Sequence, residues 1–133
     1  MLRRITIDLT GLPPSVEAID SFAADESPEA WSKVVDKLLN SAAYGEHWAR
    51  HWLDVVHYSD THGYEWDAPA KNAYLYRDYV VRAFNGDLPI RDFFMEQIAG
   101  DLIEPRIDRE LGIVESLIGP MALRLGERRH GDN

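Results

Sequence analysis

The segment from Asp25 to Asn40, DESPEAWSKVVDKLLN, sets the period of this chain. Trp31, Val34, Val35, Leu38 and Leu39 recur at i, i+3, i+4, i+7 and i+8, which lines one face of an α-helix with apolar side chains. A half-buried strand needs strict alternation, and no alternating run exceeds about four residues anywhere in the sequence. Ser27 reads as the N-cap of this helix and Pro28 as its first residue. A break at DLTGLPPS precedes an earlier helix, capped by Ser15, with Val16, Ile19, Phe22 and Ala23 at helical spacing. Further helices are expected over Tyr44–Ser59, with a core stripe of Trp48, Trp52, Val55 and Val56, and over Asn72–Phe84, with Tyr76, Tyr79, Val80, Ala83 and Phe84. The last runs from Ile90 to Ala99 and ends on Gly100, read as a left-handed C′ residue. The expected fold is all-α: a compact bundle of about five helices with short turns. It forms one helical domain over residues 1–133, read as a fragment of a larger domain truncated at both ends, since MLRRI opens inside an apolar segment and ERRHGDN closes nothing.

Composition narrows the function classes. A hydrophobic content of 45% argues for a folded chain. A net charge of −9 opposes binding to nucleic acid. No apolar run approaches the roughly 20 residues of a membrane span, and no apolar h-region follows the arginines of the N-terminus, so it does not read as a signal peptide. The absence of cysteine excludes disulfides, thiolate chemistry and covalent c-type haem attachment within this chain.

Four of the five histidines fall between Glu46 and Asp67, in EHWARHWLDVVHYSDTHGYEWD. On the expected third helix His47, His51, Asp54 and Tyr58 lie at i, i+4, i+7 and i+11, on one face. Two imidazoles one turn apart can share a metal ion, with Asp54 as a third ligand or as the acceptor that orients His51. The polar margin of an amphipathic helix would look the same. In the following loop Asp60, Glu65 and Asp67 gather three carboxylates about Gly63, a composition that suits hard cations without the spacing of an EF-hand. A solvated acidic loop is the competing reading. Tyr64 and Trp66 offer ring faces to a sugar or a partner, or fold back over the core. Arg77 can brace the loop through one of its carboxylates, and Asp78 with Arg82 is spaced as an ordinary helix ion pair. Glu96, Gln97 and Asp101 read as helix-end and turn bonding. No phosphate loop, nucleophile elbow or dinucleotide fingerprint occurs.

The blocks LRRITIDLTGLPPS, YGEHWARHWLDVVHYSDTHGYEWD, YRDYVVRAFN, FFMEQIAGDL and ALRLGERRHGDN resemble the domain of unknown function found in large planctomycete proteins. In those proteins it lies between a c-type cytochrome domain and a second unknown-function domain. The resemblance runs in order through nearly all of the chain. It implies an exported, periplasmic or cell-surface setting with these two domains as partners, and it assigns no reaction and no catalytic residue. Positions matching the family pattern include Trp48, His51, Trp52, Asp54, Tyr58, Asp60, Gly63, Tyr64, Tyr76, Arg77, Asp78, Ala99, Gly100 and Asp101. His47 and His57 stand where arginine is as readily expected, which shifts weight to His51.

The expected function is therefore a helical module binding a divalent metal or a ligand, a carbohydrate among the candidates, through the His51–Asp67 region. Metal candidates are His51, Asp54, Asp60, Glu65 and Asp67; ligand-contacting candidates are Tyr64, Trp66, Arg77 and Asp78. A redox or hydrolytic unit completed by a C-terminal domain, or a protein-docking domain without a small ligand, are the rival expectations.

Overall fold

The computed structural model describes residues 1–63 and 67–124. Six α-helices account for most of them: α1 (Leu2–Thr10), α2 (Val16–Ala24), α3 (Ala30–Leu39), α4 (Ala42–Val55), α5 (Ala73–Asn85) and α6 (Ile90–Ala99). Beyond them lie a two-stranded antiparallel hairpin, β1 (Ile107–Asp108) and β2 (Ile113–Val114), and two 3-10 segments, Glu115–Leu117 and Gly119–Arg124. The fold is all-α.

One helix was not expected. The buried stripe of α1 is Leu2, Thr6 and Thr10, so two of its three inward residues register as polar and β-branched in sequence. Each threonine hydroxyl donates to the carbonyl four residues back, Thr6 to Leu2 at 2.9 Å and Thr10 to Thr6 at 2.7 Å. That internal bond satisfies the hydroxyl, so the methyl groups can face the core.

The caps also differ from expectation in places. Ser15 does cap α2, accepting from the Ala18 N–H at 3.2 Å. Ser27 does not cap α3: its carbonyl closes a turn with the Ala30 N–H at 3.0 Å, and its hydroxyl receives Lys33 Nζ at 2.9 Å. Helix α4 stops at Val55 rather than Ser59. His57 there adopts a left-handed φ of 53°, and its N–H donates to Asp54 O while that of Tyr58 donates to Leu53 O at 2.9 Å. These are the two bonds of a Schellman ending. Asp87 ends α5 in the same way, at φ 48°. Gly100 is right-handed instead, with φ −61°. Glycine is needed there for space, because a Cβ would overlap the Ser116 carbonyl oxygen.

The core cluster is Ala49, Tyr76, Tyr79, Val80, Ala83, Phe93 and Ile118, drawn from α4, α5, α6 and the 3-10 region. The expected stripe of α5 is borne out. That of α4 is rotated: Val55 is 68% exposed and Trp48 37%, whereas Gly45 and Ala49 are buried. Small residues let α4 approach α5 closely. The pair runs antiparallel, with Asn85 at the end of α5 accepting from Gly45 N–H at 2.8 Å and donating to Ala42 O at 3.3 Å. Helix α3, despite its complete apolar stripe, buries no residue, and neither does α2.

Candidate functional site

Two polar assemblies flank the α4–α5 pair, and the count of donors and acceptors separates scaffold from site. The first is a buried chain. The Trp52 indole N–H can only donate, and it donates to Tyr76 Oη at 2.8 Å. The Tyr76 hydrogen therefore goes to Gln97 Oε1, at 2.6 Å. The Gln97 amide N–H then donates to Tyr79 Oη at 3.2 Å, and Tyr79 donates to Glu96 Oε2 at 2.8 Å. Glu96, 2% exposed, terminates the chain as an acceptor and is gripped by Arg106 through Nε at 2.6 Å and Nη2 at 2.8 Å. Burial, followed by the Glu96 carboxylate, holds the Tyr79 phenol far above its ordinary range, and burial raises that of Tyr76. Each hydroxyl in the chain has both a donor and an acceptor partner, and the Glu96 carboxylate at its end is neutralised by Arg106. This network is scaffold.

Arg82 makes a similar clamp. It holds the buried Glu115 through Nε and through Nη2 at 3.0 Å, which raises the Arg82 pKa. The expected Asp78–Arg82 helix pair is thus replaced by a longer-range one. Together the two arginine clamps fasten the C-terminal hairpin and the 3-10 region to α5 and α6.

Of the expected metal ligands, the four among the described residues, His51, Asp54, Asp60 and Asp67, form no common cluster. His51 and Asp54 are exposed on α4, and the His51 ring packs edge-on against His47 at 5.2 Å and Trp48 at 5.4 Å between centroids. Asp60 accepts from the Tyr58 hydroxyl, while its backbone carbonyl receives the Ala70 N–H at 2.8 Å. Asp67 is exposed at a positive φ of 37°. Among the described residues no group of three or more His, Asp or Glu side chains is placed to hold a metal ion. Tyr64, Glu65 and Trp66 lie outside the described residues. Because α4 ends at Val55, Tyr58 leaves the His47–His51–Asp54 face and instead stacks on Tyr76 at 6.2 Å. Burial, then the bond to Asp60, pushes the Tyr58 phenol well above its usual range. Among the described residues Arg77 makes no ion pair with the loop. It binds Asp78 at 2.9 Å, and that bond raises its pKa, with the charge of Asp60 adding to the effect.

The second assembly is open to solvent. Glu46, Ala49, Arg50 and Leu53 of α4 face Arg77, Asp78, Val81 and Arg82 of α5 across a groove of about 490 Å³. Its apolar lining is Ala49, Leu53 and Val81, and its charged lining is three arginines, Arg50, Arg77 and Arg82, with two carboxylates, Glu46 and Asp78. Arg77 and Arg82 are held by Asp78 and Glu115, while Arg50 makes no ion pair among the described residues.

The family model PSCyt2, described as a protein of unknown function (DUF1549), matches residues 1–129. The chain belongs to the PSCyt2 family. No curated protein and no solved structure matches this PSCyt2 chain.

Of the expected site residues, the PSCyt2 groove unites Arg77 and Asp78 with Glu46, Arg50 and Arg82, three positions that motif reading left aside or gave another role. A signal for them was present. Glu46, Ala49, Arg50 and Leu53 share one helical face at i, i+3, i+4 and i+7, and Arg77, Asp78, Val81 and Arg82 share another. Only the register of α4 against α5 shows that the two faces meet.

Proposed function

We propose that this PSCyt2 domain is a binding module that takes a small anionic ligand, a sugar acid by class, in the α4–α5 groove. The observation that carries this reading is the convergence of Arg50, Arg77 and Arg82 on one groove of a chain whose net charge is −9. Guanidinium groups suit carboxylates and sulfates: Arg77 and Arg82 spend Nε and Nη2 on Asp78 and Glu115, which fixes their planes, and Arg50, unpaired among the described residues, keeps its whole fork for a ligand. The apolar lining of Ala49, Leu53 and Val81 suits the carbon face of a pyranose. A hydrolytic or redox role draws less support, because both enclosed carboxylates are committed: Glu96 to Arg106 and Tyr79, and Glu115 to Arg82.

The setting that goes with this reading is an exported multidomain protein, periplasmic or at the cell surface, with a c-type cytochrome domain and a second unknown-function domain as partners. The resemblance of the sequence blocks supports it, and haem staining of the native protein after cell fractionation tests it. The binding itself is tested by titrating labelled protein with glucuronate and with glucose while recording amide NMR shifts. Glucuronate is expected to shift Ala49, Arg50 and Val81, glucose to leave them in place, and an Arg50→Ala/Arg77→Ala variant to lose the response. Equal shifts with both sugars, or none with glucuronate, would refute the reading.

A further inference from the structure

A second groove, of about 420 Å³, is lined by α1, α2 and α3 and shares no residue with the α4–α5 groove. Its walls are Leu2, Leu12, Ala18, Phe22, Val34 and Leu38, with Lys33 and Lys37 also lining it. The volume lies in the range of about 300–1,000 Å³ usual for pockets that enclose small ligands.

Three observations describe what fits. The hydroxyls of Thr6, Thr10 and Ser41, which also line the groove, donate to carbonyls of the local chain, at 2.9 Å to Leu2, 2.7 Å to Thr6 and 2.6 Å to Leu38. These three hydroxyls make little demand on a ligand; Ser15, Ser21 and the Lys33-paired Asp25 add polar lining, and the rest of the wall offers apolar contact. The two lysines are not equivalent: Lys33 is committed to Asp25 at 3.2 Å and Ser27 at 2.9 Å, whereas Lys37 is exposed and makes no ion pair among the described residues. Finally, this lobe is underpacked. Phe22, Trp31, Val34, Val35 and Leu38 are only half-buried, and no residue of α2 or α3 is buried, although their stripes have the spacing of core faces. An apolar guest along the groove completes the burial that these stripes are spaced for.

We infer that the α1–α3 groove binds a free single-chain amphiphile with an anionic head, its alkyl tail between Leu2, Phe22 and Val34 and its carboxylate at Lys37. This site is separate from the α4–α5 groove and does not depend on the reading given to that groove.

The test is calorimetric titration of the 133-residue chain with decanoate, below its micelle concentration, and with decanol as its uncharged counterpart. One-to-one binding of both is expected. Lys37→Gln should weaken decanoate roughly two- to fivefold, the range of an exposed ion pair, and leave decanol unchanged. Ala18→Trp, which fills the groove, should abolish both while far-UV circular dichroism remains that of the parent. Should Ala18→Trp fail to fold, the Lys37→Gln comparison still decides, since Lys37 is exposed. No heat with either compound overturns the inference. So does binding that Lys37→Gln weakens equally for decanoate and decanol, or that Ala18→Trp leaves intact. A dimer in sedimentation that Ala18→Trp dissociates, with no decanoate uptake, would likewise overturn it by making a second copy of the chain the occupant.

Discussion

Replacing Gln97 by leucine tests the buried chain at its middle member, which joins the two tyrosines. Gln97 is 6% exposed, takes the Tyr76 hydrogen at 2.6 Å and gives one to Tyr79 at 3.2 Å. Leucine keeps most of the volume, so the cost is not a cavity. Tyr76 would still accept from Trp52, but its own hydrogen would point at a methyl group with no water in reach, since Tyr76 is 0% exposed. Tyr79 would lose a donor yet keep Glu96 as acceptor. One orphaned buried donor costs about 1–3 kcal/mol. For a chain of this size each kcal/mol lowers Tm by about 3–5 °C. Urea unfolding followed by circular dichroism should show a lower midpoint with an unchanged slope. The decisive arm is the cycle with Tyr76→Phe. Phenylalanine removes the hydrogen that Gln97→Leu strands, so the double variant should cost less than the two single variants added, by about 1 kcal/mol or more. Additivity within about 0.5 kcal/mol, or a Gln97→Leu variant as stable as the parent, would refute the chain of donors and acceptors described here.

Three further outcomes follow from other parts of the fold. His57→Gly should raise stability by up to about 1 kcal/mol in the same urea assay, since His57 holds a left-handed φ of 53° that glycine adopts without strain. Gly100→Ala should cost about 3 kcal/mol or more, because the Ser116 and Glu96 carbonyl oxygens occupy the space of the added methyl and both belong to backbone. The Asp25 carboxyl is held down to about 2, first by the Ser27 hydroxyl, then by the Ser27 N–H and by Lys33. Its folded value lies below the unfolded value of about 3.9, so the native state binds fewer protons. The contribution is therefore present above that value and is lost as pH falls toward 2. Ser27→Ala should move the Asp25 carboxyl titration, read by NMR, back toward the ordinary range.

How far a helix could be read in advance depended on what it buries. Helix α5 carries Tyr76, Tyr79, Val80 and Ala83 inward, all of them plainly apolar or aromatic, and its stripe and limits were legible to within a residue. Helix α1 buries two threonines whose hydroxyls are satisfied only once the helix exists, so pattern reading counts them as surface. Helix α3 shows the reverse. Its period is complete, but period reports that a face is apolar and not what covers it, and the face remains half-open.

The histidine-rich stretch divides for a related reason. Counting residues along a helix assumes that the helix continues, and His57 ends that count by turning left-handed one residue before Tyr58. His51 and Asp54 are left on an exposed face, while Tyr58 joins the stack on Tyr76. What organises the site instead is a feature that carries no charge: Gly45 and Ala49 are small enough for α4 to lie close against α5, and Asn85 fixes the register by bonding Gly45 and Ala42. That register sets Arg50 across from Arg77 and Arg82. A larger side chain at Gly45 would displace the Asn85 carboxamide from its bonds to Gly45 and Ala42, and the register that brings the three arginines to one groove would lose its fastening. Gly45→Val should therefore lose glucuronate binding although it changes no residue that lines the groove. A Gly45→Val protein that bound as the parent does would separate the groove from the close helix contact and remove the structural basis proposed for it.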